Sequence, residues 1–132
     1  MNPNPDQIVD GIPFARTLGM TVVRASPDEV VCRLDWTPET TTTGGAMNGG
    51  AIMALADNAG GITAYLNLPD DAVGTSTISS STNFLRGLRE GHVEAVSRPI
   101  HRGRTTIVVE TALSDGEGRL VAKVTQVQAV LR

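Results

Sequence analysis

Aromatic residues are nearly missing from this chain: one Trp, one Tyr and two Phe in 132 residues. A surface that stacks nucleobases needs more ring faces, so single-stranded nucleic-acid binding is not expected. An excess of positive charge is missing too. Eleven Lys and Arg against fourteen Asp and Glu leave a net charge of −3, the wrong sign for a domain that grips duplex phosphates. Cysteine occurs once, at Cys32. That excludes an internal disulfide framework and a zinc site built from cysteines. No apolar run approaches the roughly 18 residues of a membrane-spanning helix. The opening "MNPNPDQIVDG" has neither the basic region nor the apolar stretch of a secretory signal. The expectation is a cytoplasmic protein that engages neither membrane nor nucleic acid. Hydrophobic residues at 40% and charged residues at 19% are ordinary for a folded domain. The length suits one core.

Residues 1–5 read as a frayed tail on a single domain covering 1–132. In 6–18, "DQIVDGIPFARTL", apolar positions Ile8, Val9, Ile12, Ala15 and Leu18 recur at roughly helical spacing. Gly11 and Pro13 interrupt them, which predicts a short or broken helix. "GMTVVRAS" reads as a first strand. "EVVCRLDW" alternates, with Val30, Cys32, Leu34 and Trp36 on one face and Glu29, Val31, Arg33 and Asp35 on the other. Ser26-Pro27-Asp28 supplies the turn between them. A polar loop over 37–47 leads into one strong helix from Asn48 to about Leu66. Its run from Ala51 to Ala56 is apolar without a break, which predicts burial on most sides. "GTSTISSSTNFL" has the composition of a flexible polar loop, but its threonines and Ile78 favour a strand. "HVEAVSRPIHRG", "RTTIVVETALSD" and "GRLVAKVTQVQAVLR" read as three further strands, with "HRGR" and "DGEG" as turns.

One long apolar helix with five or six strands predicts a layered α+β domain, its sheet curled around the helix. "TTIVVETAL" is apolar or β-branched on both faces. Part of the outer face is therefore expected to be covered by another subunit.

The stretch "GGAMNGGAIMALADNAGG" carries the chemistry. Asn48-Gly49-Gly50 opens the helix: Asn is a good N-cap, and glycine leaves backbone N–H groups open to close approach. Such an end suits an oxygen that becomes negative, although most caps are structural only. Asp57 is the one acid in the apolar run. It either caps a break before Asn58-Ala59-Gly60-Gly61, pairs with a basic side chain, or serves as a general base or nucleophile in an apolar pocket. It lies about 13 Å along the axis from Asn48 and half a turn out of phase. One chain therefore cannot easily bring both to one small reacting group. Two antiparallel copies of the helix could, across the small residues Gly50, Ala54 and Gly61.

Taken together, "MNGGAIMALADNAGG", "IPFARTLGMTVV", "TNFLRGL" and "HRGRTTIVVETALSDGEGRLVAKVTQ" resemble the hot-dog-fold acyl-CoA thioesterases of the phenylacetate-degradation (PaaI-like) type. The resemblance covers nearly the whole chain. In that family the helix opens with His-Gly-Gly and carries an acid at the spacing of Gly49 and Asp57. The resemblance implies a curled antiparallel sheet wrapped around one long buried helix, a homodimer or homotetramer, and no cofactor beyond the coenzyme A of the substrate. It implies that the Gly49 N–H polarises the thioester carbonyl and that Asp57 of the facing subunit attacks it or activates water. Thr77 falls where the family has a Ser or Thr that positions the attacking water. Arg102, Gly103 and Arg104 fall in a segment near the coenzyme A phosphates, although "HRGR" also reads as an ordinary basic turn. Asn48 stands in place of the family's His, and Thr42 where relatives often have Asn or Gln near the carbonyl; Gly87 replaces a usual Pro.

The reading is thioester hydrolysis. The absent His motivates a rival, a non-catalytic acyl-CoA-binding or sensor domain on the same fold. A hydratase ranks lower, because the only histidines, His92 and His101, sit on late strands or turns.

Overall fold

The computed structural model describes residues 3–132. In chain order the elements are α1 (Pro5–Asp10), α2 (Pro13–Leu18), β1 (Thr21–Ala25), β2 (Val30–Asp35), a 3-10 turn (Pro38–Thr40), α3 (Gly49–Tyr65), β3 (Gly74–Phe84), β4 (His92–Arg102), β5 (Thr106–Asp115) and β6 (Leu120–Leu131). The broken helix at the start is therefore two helices. Asn4 caps the first through the Asp6 N–H, so regular structure begins inside the stretch expected to fray. The rest of that expectation, at residues 1 and 2, lies outside the described residues.

The six strands form one antiparallel sheet in the order β1-β2-β4-β5-β6-β3. This is the curled sheet with a central helix that the residue pattern predicts. α3 connects β2, near one edge, to β3 at the other, so it crosses the concave face and touches β2 through β6. The helix lies close to the sheet because its inner face is small. Ala56 and Ala59 are fully buried beside Leu55, and they pack with Leu34, Val93, Ala95, Leu113 and Val124. The Ser/Thr-rich segment is a strand. Pairing with β6 along its length answers its backbone groups on one side. As the edge strand it keeps most of its polar side chains exposed.

Two expectations need correction. α3 is not buried on most sides within one chain. Gly50, Asp57, Met53 (43% exposed) and Tyr65 (63% exposed) form an open stripe along it, with Ala54 and Gly61 half-buried between them. An all-apolar run carries no phase, so periodicity could not show which stripe the sheet leaves uncovered. Val31, placed on the outer face of β2, is fully buried nonetheless. Arg24 lies opposite Val31 in the β1–β2 register and is ion-paired with Glu29, as is Arg98.

Candidate active site

The start of α3 is built as its sequence requires. Asn48 is extended (φ −60°, ψ 133°), and its Oδ1 accepts the Gly50 N–H at 2.7 Å. Its carbonyl takes the N–H groups of Ala51 and Ile52. Among the described residues the Gly49 N–H has no hydrogen-bond partner. Helix starts leave such donors, and here the residue type keeps the approach open. A Cβ at position 49 would lie 3.2 Å from Cζ of Phe84. Beside this donor a cavity of about 410 Å³ is lined by Met47, Gly49, Ile52, Phe84 and Leu85.

Asp57 lies about 12 Å further along the same helix. On the open stripe it meets the edge strand. Its Oδ1 accepts the Thr77 hydroxyl at 3.3 Å and the Gln126 side-chain amide at 3.0 Å. Gln128 in turn donates to the Thr77 hydroxyl oxygen at 2.8 Å and accepts from the Thr75 hydroxyl at 3.3 Å. Among the described residues Oδ2 of Asp57 has no partner and no ion pair includes this carboxylate. Neither the capped helix break nor the basic partner considered for Asp57 is found. One turn beyond it an apolar cleft of about 660 Å³ opens between α1 and α3, lined by Ile8, Ile12, Gly61, Ile62, Tyr65 and Leu66.

The structure thus brings Thr77 to Asp57. It does not bring Gly49 to Asp57 within one chain. Asn48 is in place as a cap, which leaves its amide nitrogen free, while the Gly50 N–H is consumed by that cap. Thr42 is exposed and closes a tight turn with Ala46 and Gly45. The basic turn sits at the far end of α3. There Arg102 is bound to Asp28 at 3.0 Å and Asn67 at 2.6 Å. The Gly103 N–H bonds the Thr106 carbonyl at 2.8 Å. Within this turn the Arg104 guanidinium has no ion pair or hydrogen bond among the described residues, while its carbonyl accepts from Arg132. Cys32 is no nucleophile: burial pushes its thiol up to about 12.

Gln126 and Gln128 were not singled out from the sequence. They are fully buried, or nearly so, on the inner face of β6. The signal was present. Counting by twos from Ala122 and Val124 puts both glutamines at core positions. A buried polar side chain in such phase needs a partner. The arrangement has costs: a mid-helix glycine at position 60, about 1 kcal/mol, and an unpaired buried Gln126 Oε1, about 1–3 kcal/mol.

A model of the thioesterase superfamily matches residues 44–122. PA1618 of Pseudomonas aeruginosa is 40% identical over 83 residues, 61% of this chain; the aligned stretch spans 57% of that protein's length. ComA2 of Bacillus subtilis is 30% identical over 104 residues, 79% of this chain and 82% of its own. Among solved structures, a mutant of thioesterase PA1618 superposes with a TM-score of 0.92 at 28% identity, covering 99% of this chain and 96% of that one. A mutant of the phenylacetic acid degradation protein PaaI of Thermus thermophilus gives 0.82 at 27% identity, with 90% and 99% covered.

Proposed function

This chain belongs to the thioesterase superfamily, and on that footing we propose that it hydrolyses acyl-CoA thioesters to a free acid and coenzyme A, at a site shared between two copies. The observation that carries the reading is the split along α3. An unbonded N–H at Gly49 and a carboxylate with one free oxygen at Asp57 lie on one helix, about 12 Å apart. A second copy, antiparallel along the open stripe, brings each donor to the other's acid. The small residues Gly50, Ala54 and Gly61 give the clearance. The minimum assembly is a homodimer. The half-buried outer face of β5, with Val108 and Ala112, offers the second contact of a homotetramer.

In this scheme the thioester carbonyl accepts from Gly49, which holds the negative charge of the tetrahedral intermediate. Asp57 of the facing copy either takes a proton from water as the water oxygen bonds to the carbonyl carbon, or bonds to that carbon itself. The C–S bond then breaks and the coenzyme A sulfur leaves, taking the proton held by Asp57 in the first route and one from solvent in the second. In the second route water cleaves the acyl–aspartyl anhydride to free the acid. Asn48 can donate to the carbonyl through its free amide nitrogen, and Gly50 and Thr42 border the approach. Arg104, with Arg102 and Gly103 shaping its turn, takes the phosphates. The apolar cleft beyond Asp57 houses the acyl chain. Neither metal nor cofactor enters.

A panel of aromatic and aliphatic acyl-CoAs tests this. Wild type turns over at least one, and Asp57→Asn none at a comparable rate. The absence of a His at position 48 favours a second reading, an acyl-CoA-binding domain without turnover. Binding across the panel with no hydrolysis by wild type would establish that reading and reject ours.

A further inference from the structure

We infer that Gln126, and Gln128 acting through Thr77, form a one-way donor network that clamps Oδ1 of Asp57 and leaves Oδ2 as its reacting oxygen. The inference rests on Asp57 being the reacting carboxylate.

Chemistry sets the direction of every bond. An ionised carboxylate only accepts, so Gln126 must present its amide nitrogen, 3.0 Å away, and Thr77 must spend its single hydroxyl proton, 3.3 Å away. The Thr77 oxygen can then only accept from Gln128, at 2.8 Å. The Gln128 carbonyl oxygen is left for the Thr75 proton, at 3.3 Å. All four bonds point toward one oxygen of one acid. Thr77 thereby becomes a positioning residue for Asp57 rather than a donor to the attacking water.

The amide of Gln126 is aimed, not merely accommodated. Its carbonyl oxygen is buried without a hydrogen bond. That oxygen rests on Gly60, where any Cβ would overlap it. No charge does the same work. β3 has no titratable side chain, and β6 has only Lys123, which is paired with Glu110 at 3.1 Å. Two neutral donors on one oxygen fix the plane of the carboxylate without neutralising it. The unclamped oxygen then faces the open stripe in one orientation.

Neither glutamine is proposed to touch substrate, so the effect should fall on kcat and spare KM. With the best acyl-CoA, Gln126→Leu and Thr77→Val should each lower kcat roughly tenfold or more with KM held. Thr77→Ser, which keeps the hydroxyl, should return to near wild-type kcat. Thr77 is exposed on an edge strand, so its pair of variants can refute the clamp even if the Gln126 substitution fails to fold, while the Gln126 variant, which leaves the Thr77 hydroxyl in place, separates the clamp from a hydroxyl that serves the water. Wild-type kcat in Thr77→Val, or Thr77→Ser as slow as Thr77→Val, would overturn the inference. The Asp57→Asn result separates the two levels. If that variant is inactive while the clamp variants are normal, only the clamp falls. If that variant is active, the functional reading falls.

Discussion

Asp115 and Asp57 are carboxylates of one chain held in opposite ways. At the β5–β6 turn both oxygens of Asp115 are occupied. One accepts the backbone N–H groups of Glu117 and Arg119, each at 2.9 Å, and the other accepts the Arg119 guanidinium at 2.7 Å. These donors, the Arg119 backbone N–H foremost, hold its carboxyl below the usual carboxylate range. They also brace the turn in which Gly118 takes a φ of 79°. On α3 one oxygen of Asp57 takes two neutral donors and the other takes none among the described residues. A carboxylate with both oxygens occupied and a cation beside it is a clasp. One with a free oxygen, no cation and an open stripe around it has the form a reagent needs.

The largest effect follows from Asp57. Asp57→Asn keeps the shape and removes the charge. Its kcat should fall about 100-fold or more, the scale of a lost general base, with the melting temperature near that of wild type. A folded variant with ordinary kcat would erase the contrast. Asp115→Asn should do the reverse, lowering the melting temperature by a few degrees at pH 7 and sparing kcat. The pH dependence sharpens this. The folded value of Asp115 lies below its unfolded one, near 3.9. Its contribution is therefore fully present above that pH and is lost as pH falls through the folded value. The stability gap between wild type and Asp115→Asn should close on acidification below about pH 4, as thermal melts across pH would show. The smallest effect belongs to Asn48. Asn48→Ala removes the acceptor of the Gly50 N–H and should cost about 1 kcal/mol of stability by denaturant titration. If Asn48 only caps, kcat should change by less than about tenfold.

Much of this was legible in the residues. Alternation over Val30, Cys32 and Leu34 gave β2, and "HRGR" and "DGEG" marked the hairpins that fall there. Asn48 and the glycines after it marked the start of α3, because a cap and an apolar run coincide only at a helix start. The site was legible only where local chemistry declares itself. The spacing of Gly49 and Asp57 along one helix could be read. The openness of Asp57 could not, because which stripe of an apolar helix stays uncovered depends on where the sheet ends. Gln126 and Gln128 showed their burial through strand phase. Their partners, 69 and 51 residues earlier in the chain, are set by the β3–β6 pairing, which no local pattern encodes.

Hybrid dimers decide whether the proposed site is divided between two copies. Gly49→Pro removes the N–H at the first position of α3. Proline is tolerated there, and the extended Asn48 before it suits a proline. The exposed Phe84 ring can yield to the added atoms. Alone, Gly49→Pro and Asp57→Asn should each lose about 100-fold or more in rate. A hybrid carrying one copy of each, purified through two different affinity tags, has one site with both defects and one with neither. It is predicted to recover roughly half of the wild-type activity per dimer, as two-fold symmetry requires. A purified hybrid no more active than its parents would contradict the shared site.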